Sequence, residues 1–392
     1  MIDLTRIREN LETFSFPRLS GTDHEKKAFT ILKNKIDELH LKSSVQNFSF
    51  STFYPRIYPK IASVLTFWIL FILYLNIQGY FTFINFIIVF LIFIPLYIIT
   101  RKPEKIRIGK VLDSQNLYIK ISPNTGERNS VNINFNEKEN NIFLMSHIDS
   151  KGQRFTTITR GKIFRIWIYS FLICFIFLIL RDLFIPQFIL LFYIIGTILL
   201  TINLVSTIFI LLNTTNNKSD GALDDASGIS CVFELLNYYK NPERRLKNFK
   251  MWFIFTGAEE CGTTGIRNFY NTIKEFNRNT TLALNFDSIG QEPIIFSSTD
   301  ENYPYYQIYK KFFEESKEFN AKLNAKRPLI AIARSDGSFL YHKGFRGMGF
   351  GDIKVYKYLH SINDTLDKVD PLILKKLCLL ITNFLEEIDN QT

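Results

Sequence analysis

Residues 250–262 read KMWFIFTGAEECG, an apolar run that breaks at Gly257 and is followed at once by two adjacent glutamates, Glu259 and Glu260. Large apolar residues at this density, closed by a glycine, predict a buried strand that ends in a tight turn. The design recurs at 281–287, where TLALNFD stops on Asp287, and at 141–146, a strand-like run that leads into SHIDS with His147 and Asp149. Strand character also marks 44–53, 115–122 and 130–135. Helical patterns cover 226–240, 262–275 and 303–319, two amphipathic ones lie around PRLSGTD within residues 1–41, and a final helix is expected at about 371–388. Strands alternating with helices predict an α/β fold, a sheet with helices on both faces.

At 392 residues and 47% hydrophobic, the chain is long and apolar enough for a sizeable core, and it is no disordered tail. Four cysteines with no CxxC pair rule out a disulfide scaffold and offer no structural zinc module. No GxSxG, Walker A or GxGxxG sequence is present, so serine hydrolase, NTPase and dinucleotide readings lack support. The net charge of +10 invites a nucleic-acid reading, because a basic surface releases counterions from phosphate. Where that charge sits decides the matter.

Ile61 to Thr100 carries no charged residue and is interrupted only by the polar NIQGY at 76–80. A second apolar block runs from about 162 to 212, with Arg181-Asp182 in its middle. A membrane helix needs roughly 20 apolar residues, and buried helices of soluble proteins usually run shorter. Two transmembrane hairpins are expected, at 59–105 and 159–213, with Arg181-Asp182 as a charged tip in water. The remainder, 1–58, 106–158 and 214–392, is expected to form one discontinuous domain. The first apolar block begins only after a polar, helix-patterned opening, so no signal peptide is expected.

The basic residues cluster at the hairpin flanks: Arg56, Lys60, Arg101, Lys102, Lys105, Arg107, Lys110, Lys151, Arg154, Arg160, Lys162 and Arg165, against the single acidic Glu104. Positive flanks stay on the cytoplasmic side. The expectation is an integral, multi-pass membrane protein with four spans and its α/β domain in the cytoplasm, and no nucleic-acid partner. A transporter reading fails because the ionisable residues lie at ends and tips, with none marking a path through the membrane.

Five short segments at or just past strand ends carry acidic residues or histidine: SHIDS (His147, Asp149), GALDDASG (Asp224, Asp225), TGAEECG (Glu259, Glu260), NFDSIG (Asp287) and YLHSINDTLD (His360, Asp364). Ligands collect beyond the carboxyl ends of strands in open α/β sheets. Imidazole and carboxylate suit zinc, and two neighbouring metals make a hydrolytic site. Two histidines, a bridging Asp, one further Asp and one Glu would meet the ligand count.

Taken in order, HxD, GxxDDASG, AEExGxxG, a strand ending in Asp, SD, and H…DT resemble the zinc peptidases of family M28, which include bacterial aminopeptidases. The opening PRLSGTDHEKKAFTIL is similar to that family's as well. The resemblance spans about 14–52 and 141–370 and implies an M28-type zinc peptidase fold, a mixed sheet interrupted by the two hairpins. It implies two zinc ions per chain: Asp224 bridging, His147 and Asp287 completing one metal, Glu260 and His360 the other. Glu259 would be the general base that takes a proton from the bridging water, and Asp149 would orient His147. Spacing to Ser227-Gly228 favours Asp224 over Asp225 as the bridge, which leaves Asp225 at a helix N-terminus. Asp336 in RSDGSF matches the SD element, but Gly337 stands where the family commonly has histidine. Asp336 and Tyr358 are the candidate substrate-binding residues, and Tyr356 or Tyr358 the candidate oxyanion partner.

The function implied is a membrane-anchored di-zinc aminopeptidase acting on peptides or lipopeptides at the bilayer. The alternatives are an inactive relative serving as a scaffold, and a zinc acyltransferase such as a glutaminyl cyclase. The second hairpin joins two ligand loops, so the active site is expected close to the membrane surface.

Overall fold

The computed structural model describes residues 1–75, 80–124, 140–184, 189–297, 305–314, 319–322 and 335–392. The strand expected at 130–135 lies outside them, as do the ends of the helix expected over 303–319. Two compact units make up the chain: Met1–Ser49, Asp113–Gly152 and Asn216–Thr392 form one, Phe50–Leu112 and Gln153–Thr215 the other.

In chain order the first elements are α1 (Leu4–Phe14), α2 (Asp23–Glu38), β1 (Ser43–Ser51), α3 (Phe53–Arg56), α4 (Tyr58–Leu75), α5 (Tyr80–Thr100), β2 (Val111–Ile121) and β3 (Asn140–His147). There follow β4 (Gly152–Gln153), α6 (Thr157–Phe184), α7 (Ile189–Leu212), β5 (Thr215–Asn216), α8 (Ser227–Tyr239), β6 (Phe249–Thr256), α9 (Thr264–Ile273) and β7 (Thr281–Phe286). The chain closes with β8 (Ile294–Ser297), α10 (Tyr306–Glu314), β9 (Asn320–Lys322), α11 (Asp336–His342), β10 (Arg346–Gly351) and α12 (Pro371–Gln391). Helix starts follow the local chemistry. Asp3 caps α1 by accepting the Thr5 N–H at 2.7 Å, and Asp370 caps α12 by accepting that of Leu372 at 2.9 Å, with Pro371 at the first helical position.

The first unit is built on an eight-stranded sheet in the order β1-β2-β6-β3-β7-β10-β8-β9. Its centre is parallel, β3 between β6 and β7 with β10 beyond β7, while β2 and β8 pair antiparallel with β6 and β10. Alternation along each strand feeds two cores. Ile142 and Leu144 of β3, Phe253 and Phe255 of β6, and Leu284 and Phe286 of β7 join α1, α2, α8 and α12 on one face. Phe143 and Met145, with Trp252 and Ile254, face α9 and α11 on the other. Both faces are thus covered, as a parallel centre requires. At ~1.5–3 kcal/mol per fully buried large apolar side chain, these layers hold the C-terminal ends of β3, β6 and β7 in register.

β8, β9, β10 and α11 were not legible in advance. β10 reads RGMGFG, and its glycines hide the strand signal. One of them has a steric reason: a Cβ on Gly347 would lie 1.8 Å from the Ala283 carbonyl oxygen of β7.

In the second unit α4, α5, α6 and α7 are long and apolar enough to cross a membrane, by length and composition. α5 leaves Phe83, Ile84, Phe90 and Leu91 exposed along its length. α4, α6 and α7 pack around Leu70, Cys174 and Leu178. Asn203 of α7, fully buried, donates to the Trp167 carbonyl oxygen and to Ser170 Oγ of α6. The expectation of a charged tip in water needs correcting at Arg181. It is 5% exposed, donates to the Leu73 and Tyr74 carbonyl oxygens at 2.8 and 3.2 Å, and stands over the Tyr193 ring. The guanidinium therefore satisfies the last carbonyls of α4, where a cation is favoured by the helix dipole.

Candidate metal centre

The site grows from three parallel strand ends and two loops. β3 ends on His147, the turn after β6 carries Glu259 and Glu260, and Asp287 follows β7. Asp224 sits in the loop before α8, and His360 in the segment after β10. His147 Nδ1 donates to the Asp149 carbonyl oxygen at 3.0 Å, which turns Nε2 and its lone pair inward. Nε2 lies 2.9 Å from Asp224 Oδ1 and 3.9 Å from Asp287 Oδ1. On the far side of Asp224, Oδ2 lies 3.2 Å from His360 Nε2, which is 2.7 Å from Glu260 Oε1. His147, Asp224 and Asp287 form one group, and Asp224, Glu260 and His360 another, with ligand atoms in each within 4.8 Å of one another.

These groups fit a divalent metal. His147 Nε2 and Glu260 Oε1 are buried without a hydrogen-bond partner, although oxygen or nitrogen atoms stand 2.7–2.9 Å away. An unsatisfied buried polar group costs about 1–3 kcal/mol. Lone pairs converging in this way call for a cation, and nitrogen with carboxylate oxygen is the donor set of zinc. The charge balance points the same way. Burial opposes a charged imidazole, yet the Asp149 and Asp224 carboxylates push His147 well up. Burial likewise opposes the Asp224 carboxylate, and the two histidines hold it far below the usual range. Burial pushes Asp287 up to about 6 and Glu259 well above its ordinary value. For Glu260 burial acts upward too, but His360 and Lys151 hold it at about 2.

The supports are equally specific. Asp149 does more than sit beside His147. Its carboxylate is 3.5 Å from Nδ1, while its Oδ1 accepts the Glu259 N–H at 3.0 Å and its Oδ2 the Glu260 N–H at 3.1 Å. Ser20 Oγ donates to the same Oδ2 at 2.5 Å. Asp225 is fully buried, with Oδ1 accepting the Gly228 N–H at the start of α8 and Oδ2 accepting the His147 N–H. Asp364 reaches across to the bridging loop, where it accepts the Leu223 N–H at 2.6 Å. Ala258, Ser288 and His360 adopt left-handed backbone at φ 49°, 61° and 62°. Each is, or adjoins, a site residue, and strain of about 1–3 kcal/mol per such residue is held by the surrounding bonds.

Sequence reasoning missed three groups. Arg18 is fully buried and donates to the Ile148, Asp220 and Gly221 carbonyl oxygens at 2.8, 2.9 and 3.1 Å, so it ties the His147 loop to the Asp224 loop. Burial pushes it down to about 10. Glu25 of α2 accepts the Gly21 and Ala258 N–H groups and the Ser114 hydroxyl, and burial pushes it up to about 8. Lys151, counted above among the flanking charges, is instead 8% exposed with Nζ 2.5 Å from Glu260 Oε2. The only sequence signal was the PRLSGTDHE and SHIDSK context of these residues.

Asp336 begins α11 and is buried. Its Oδ2 accepts the Thr256 hydroxyl, its Oδ1 has no partner, and burial pushes it up to about 7. Gly337 is set by its neighbour: a Cβ there would lie 2.7 Å from Asn285 Cβ, so histidine does not fit on this backbone. Tyr358, the expected substrate contact, is flanked by Lys357 and Lys368 at 4.8 and 5.3 Å from its ring. Tyr356 is the tyrosine within the field of the site. Burial first, and then Asp287 and Asp224, push its hydroxyl up. The four cysteines are buried and none forms a disulfide.

The family model of peptidase family M28 matches residues 206–385. No curated protein matches the chain. Among solved structures it is similar to an aminopeptidase from Aneurinibacillus sp. strain AM-1, at TM-score 0.55 and 14% identity over 98% of this chain and 94% of that one. A zinc aminopeptidase from Bacillus subtilis gives 0.53 and 12% over 99% and 96%. A glutaminyl cyclase from Fimbriiglobus ruber gives 0.52 and 13% over 98% and 95%. At these identities the structures share the fold, whereas the family model reads the sequence itself through the GALDDASG, AEE and His360 segments. Residues 206–385, a little under half of the chain, match peptidase family M28.

Proposed function

We propose that the protein is a membrane-anchored aminopeptidase that works with two zinc ions. The observation that carries this reading is the pair of ligand groups sharing Asp224, with Glu259 held beside them by Asp149. His147 and Asp287 would hold one ion, Glu260 and His360 the other, with one oxygen of Asp224 toward each. Zinc, when bound, supplies a Lewis acid and lowers the pKa of a coordinated water to about 7.

The remaining work belongs to the protein. Glu259 takes a proton from the attacking water and returns it to the leaving amine, a transfer worth about 10²–10⁴-fold. Burial favours its protonated form, which suits the second step. Asp149 fixes both the backbone of Glu259 and that of Glu260, so base and ligand keep their separation. Asp336 offers an unpartnered carboxylate oxygen to the substrate, and Tyr356 a phenol for the developing oxyanion.

Membrane anchoring is supported by the four long apolar helices and by the exposed apolar surface of α5. The basic residues at the hairpin flanks favour a cytoplasmic catalytic domain. Peptides or lipopeptides presented at the bilayer are the proposed substrates. The test is hydrolysis of a panel of aminoacyl and peptidyl substrates by the detergent-solubilised full chain, alongside Glu259→Gln. Cleavage of an N-terminal residue that Glu259→Gln reduces by about 10²-fold or more, with zinc retained, is the expected result. A zinc-loaded wild type that cleaves nothing, or that cyclises N-terminal glutamine instead, contradicts the reading.

A further inference from the structure

Lys151 is the one ammonium hydrogen-bonded to a ligand side chain among the described residues. It follows SHIDS directly and is 8% exposed, and burial of an unpaired lysine would cost several kcal/mol. Its partner is Glu260 Oε2 at 2.5 Å. The other oxygen, Oε1, has no hydrogen-bond partner and faces His360 Nε2 and the Asp224 group. The two oxygens of one carboxylate therefore have different tasks, and Lys151 is what divides them.

We propose that Lys151 sets the metal selectivity of the centre, because it confines Glu260 to one-oxygen donation. The proposal rests on the metal-centre reading above. A carboxylate with one oxygen engaged by an ammonium adds a single donor, which keeps the donor count low. Low counts of nitrogen and oxygen suit zinc, whereas manganese favours sites richer in oxygen and nearer six-coordinate. Without the ammonium, Oε2 is free to turn inward beside Oε1 and raise the count by one. Lys151 is thus a positioning residue that acts through Glu260.

Loss of Lys151 also removes a positive charge, which alone would tighten any divalent cation. Zinc and manganese carry the same charge, so that effect cancels in the ratio of their affinities and the change in donor number remains. The experiment measures zinc and manganese dissociation constants by chelator competition on the full chain in detergent, for wild type, Lys151→Met and Lys151→Arg. The zinc-over-manganese ratio is expected to fall about tenfold in Lys151→Met and to stay near wild type in Lys151→Arg. Lys151→Gln replaces the methionine variant if that one does not fold. An unchanged ratio in the neutral variant, or an equal fall in Lys151→Arg, overturns the proposal. Wild-type protein that binds no zinc overturns the metal-centre reading itself, so the two failures are distinct.

Discussion

Asp149 Oδ1 accepts the backbone N–H of Glu259 at 3.0 Å, and through this bond the loop that carries His147 positions the proposed base. Asp149→Asn keeps the size of the side chain but turns an amide NH₂ toward one of the three donors that now meet two oxygens. A drop in kcat of about 10–100-fold with little change in KM is expected. Steady-state kinetics on an aminoacyl substrate reads the split; a change confined to KM would place Asp149 at the substrate instead.

Arg18→Met leaves the Ile148, Asp220 and Gly221 carbonyl oxygens without their guanidinium donor. Each buried acceptor so stranded costs about 1–3 kcal/mol, so a loss of about 3 kcal/mol or more is expected in denaturant unfolding. Arg18→Lys should recover little, because an ammonium lacks the planar fork that spans three carbonyls.

Gly337→His should not improve activity even though related enzymes commonly carry histidine there. Its Cβ would press on Asn285 Cβ at 2.7 Å, and overpacking of this kind costs about 1–3 kcal/mol. Combined with Asn285→Gly, the loss should be smaller than the sum of the two single losses, a coupling that thermal unfolding of the four variants measures. Strict additivity would mean that the two positions do not meet.

Chelation should destabilise the catalytic unit. Asp224, Asp287, Glu259 and Glu260 crowd one centre in which the two histidines and Lys151 offset their charge. A ligand at 100 times its Kd stabilises by about 2.7 kcal/mol, so the thermal midpoint should fall on metal removal and recover on addition of zinc. A midpoint indifferent to chelator speaks against a metal at this site.

What could be read in advance follows from where physical signals are local. KMWFIFTG and TLALNF announce buried strands by composition, and the structure places them as β6 and β7, neighbours of β3 in the parallel centre. The candidate ligands His147, Glu260 and Asp287 were legible because each ends or follows such a strand, and Asp224 because it precedes a helix, whereas His360 lies in an irregular segment and stood out by residue type alone. β10 was not legible, since the glycines of RGMGFG hide the strand signal, and one of them, Gly347, is required by the close approach of β7. Arg18, Glu25 and Lys151 were not either. Their meaning lies in partners 130, 233 and 109 residues away, and no local pattern marks a charged residue as buried. Arg181 was misread for the same reason: next to a turn it looked solvated, but the carbonyls that end α4 claim it.

The central claim is that one carboxylate, Asp224, serves two metals. Zinc counted by elemental analysis on purified full-length protein tests it most directly, with Asp224→Ala beside the wild type. The account expects about two zinc ions per wild-type chain, the number its ligand groups can hold, and less than one in Asp224→Ala, because both groups lose their shared oxygen donor. One zinc in the wild type, or an Asp224→Ala protein that keeps its full complement, would contradict it.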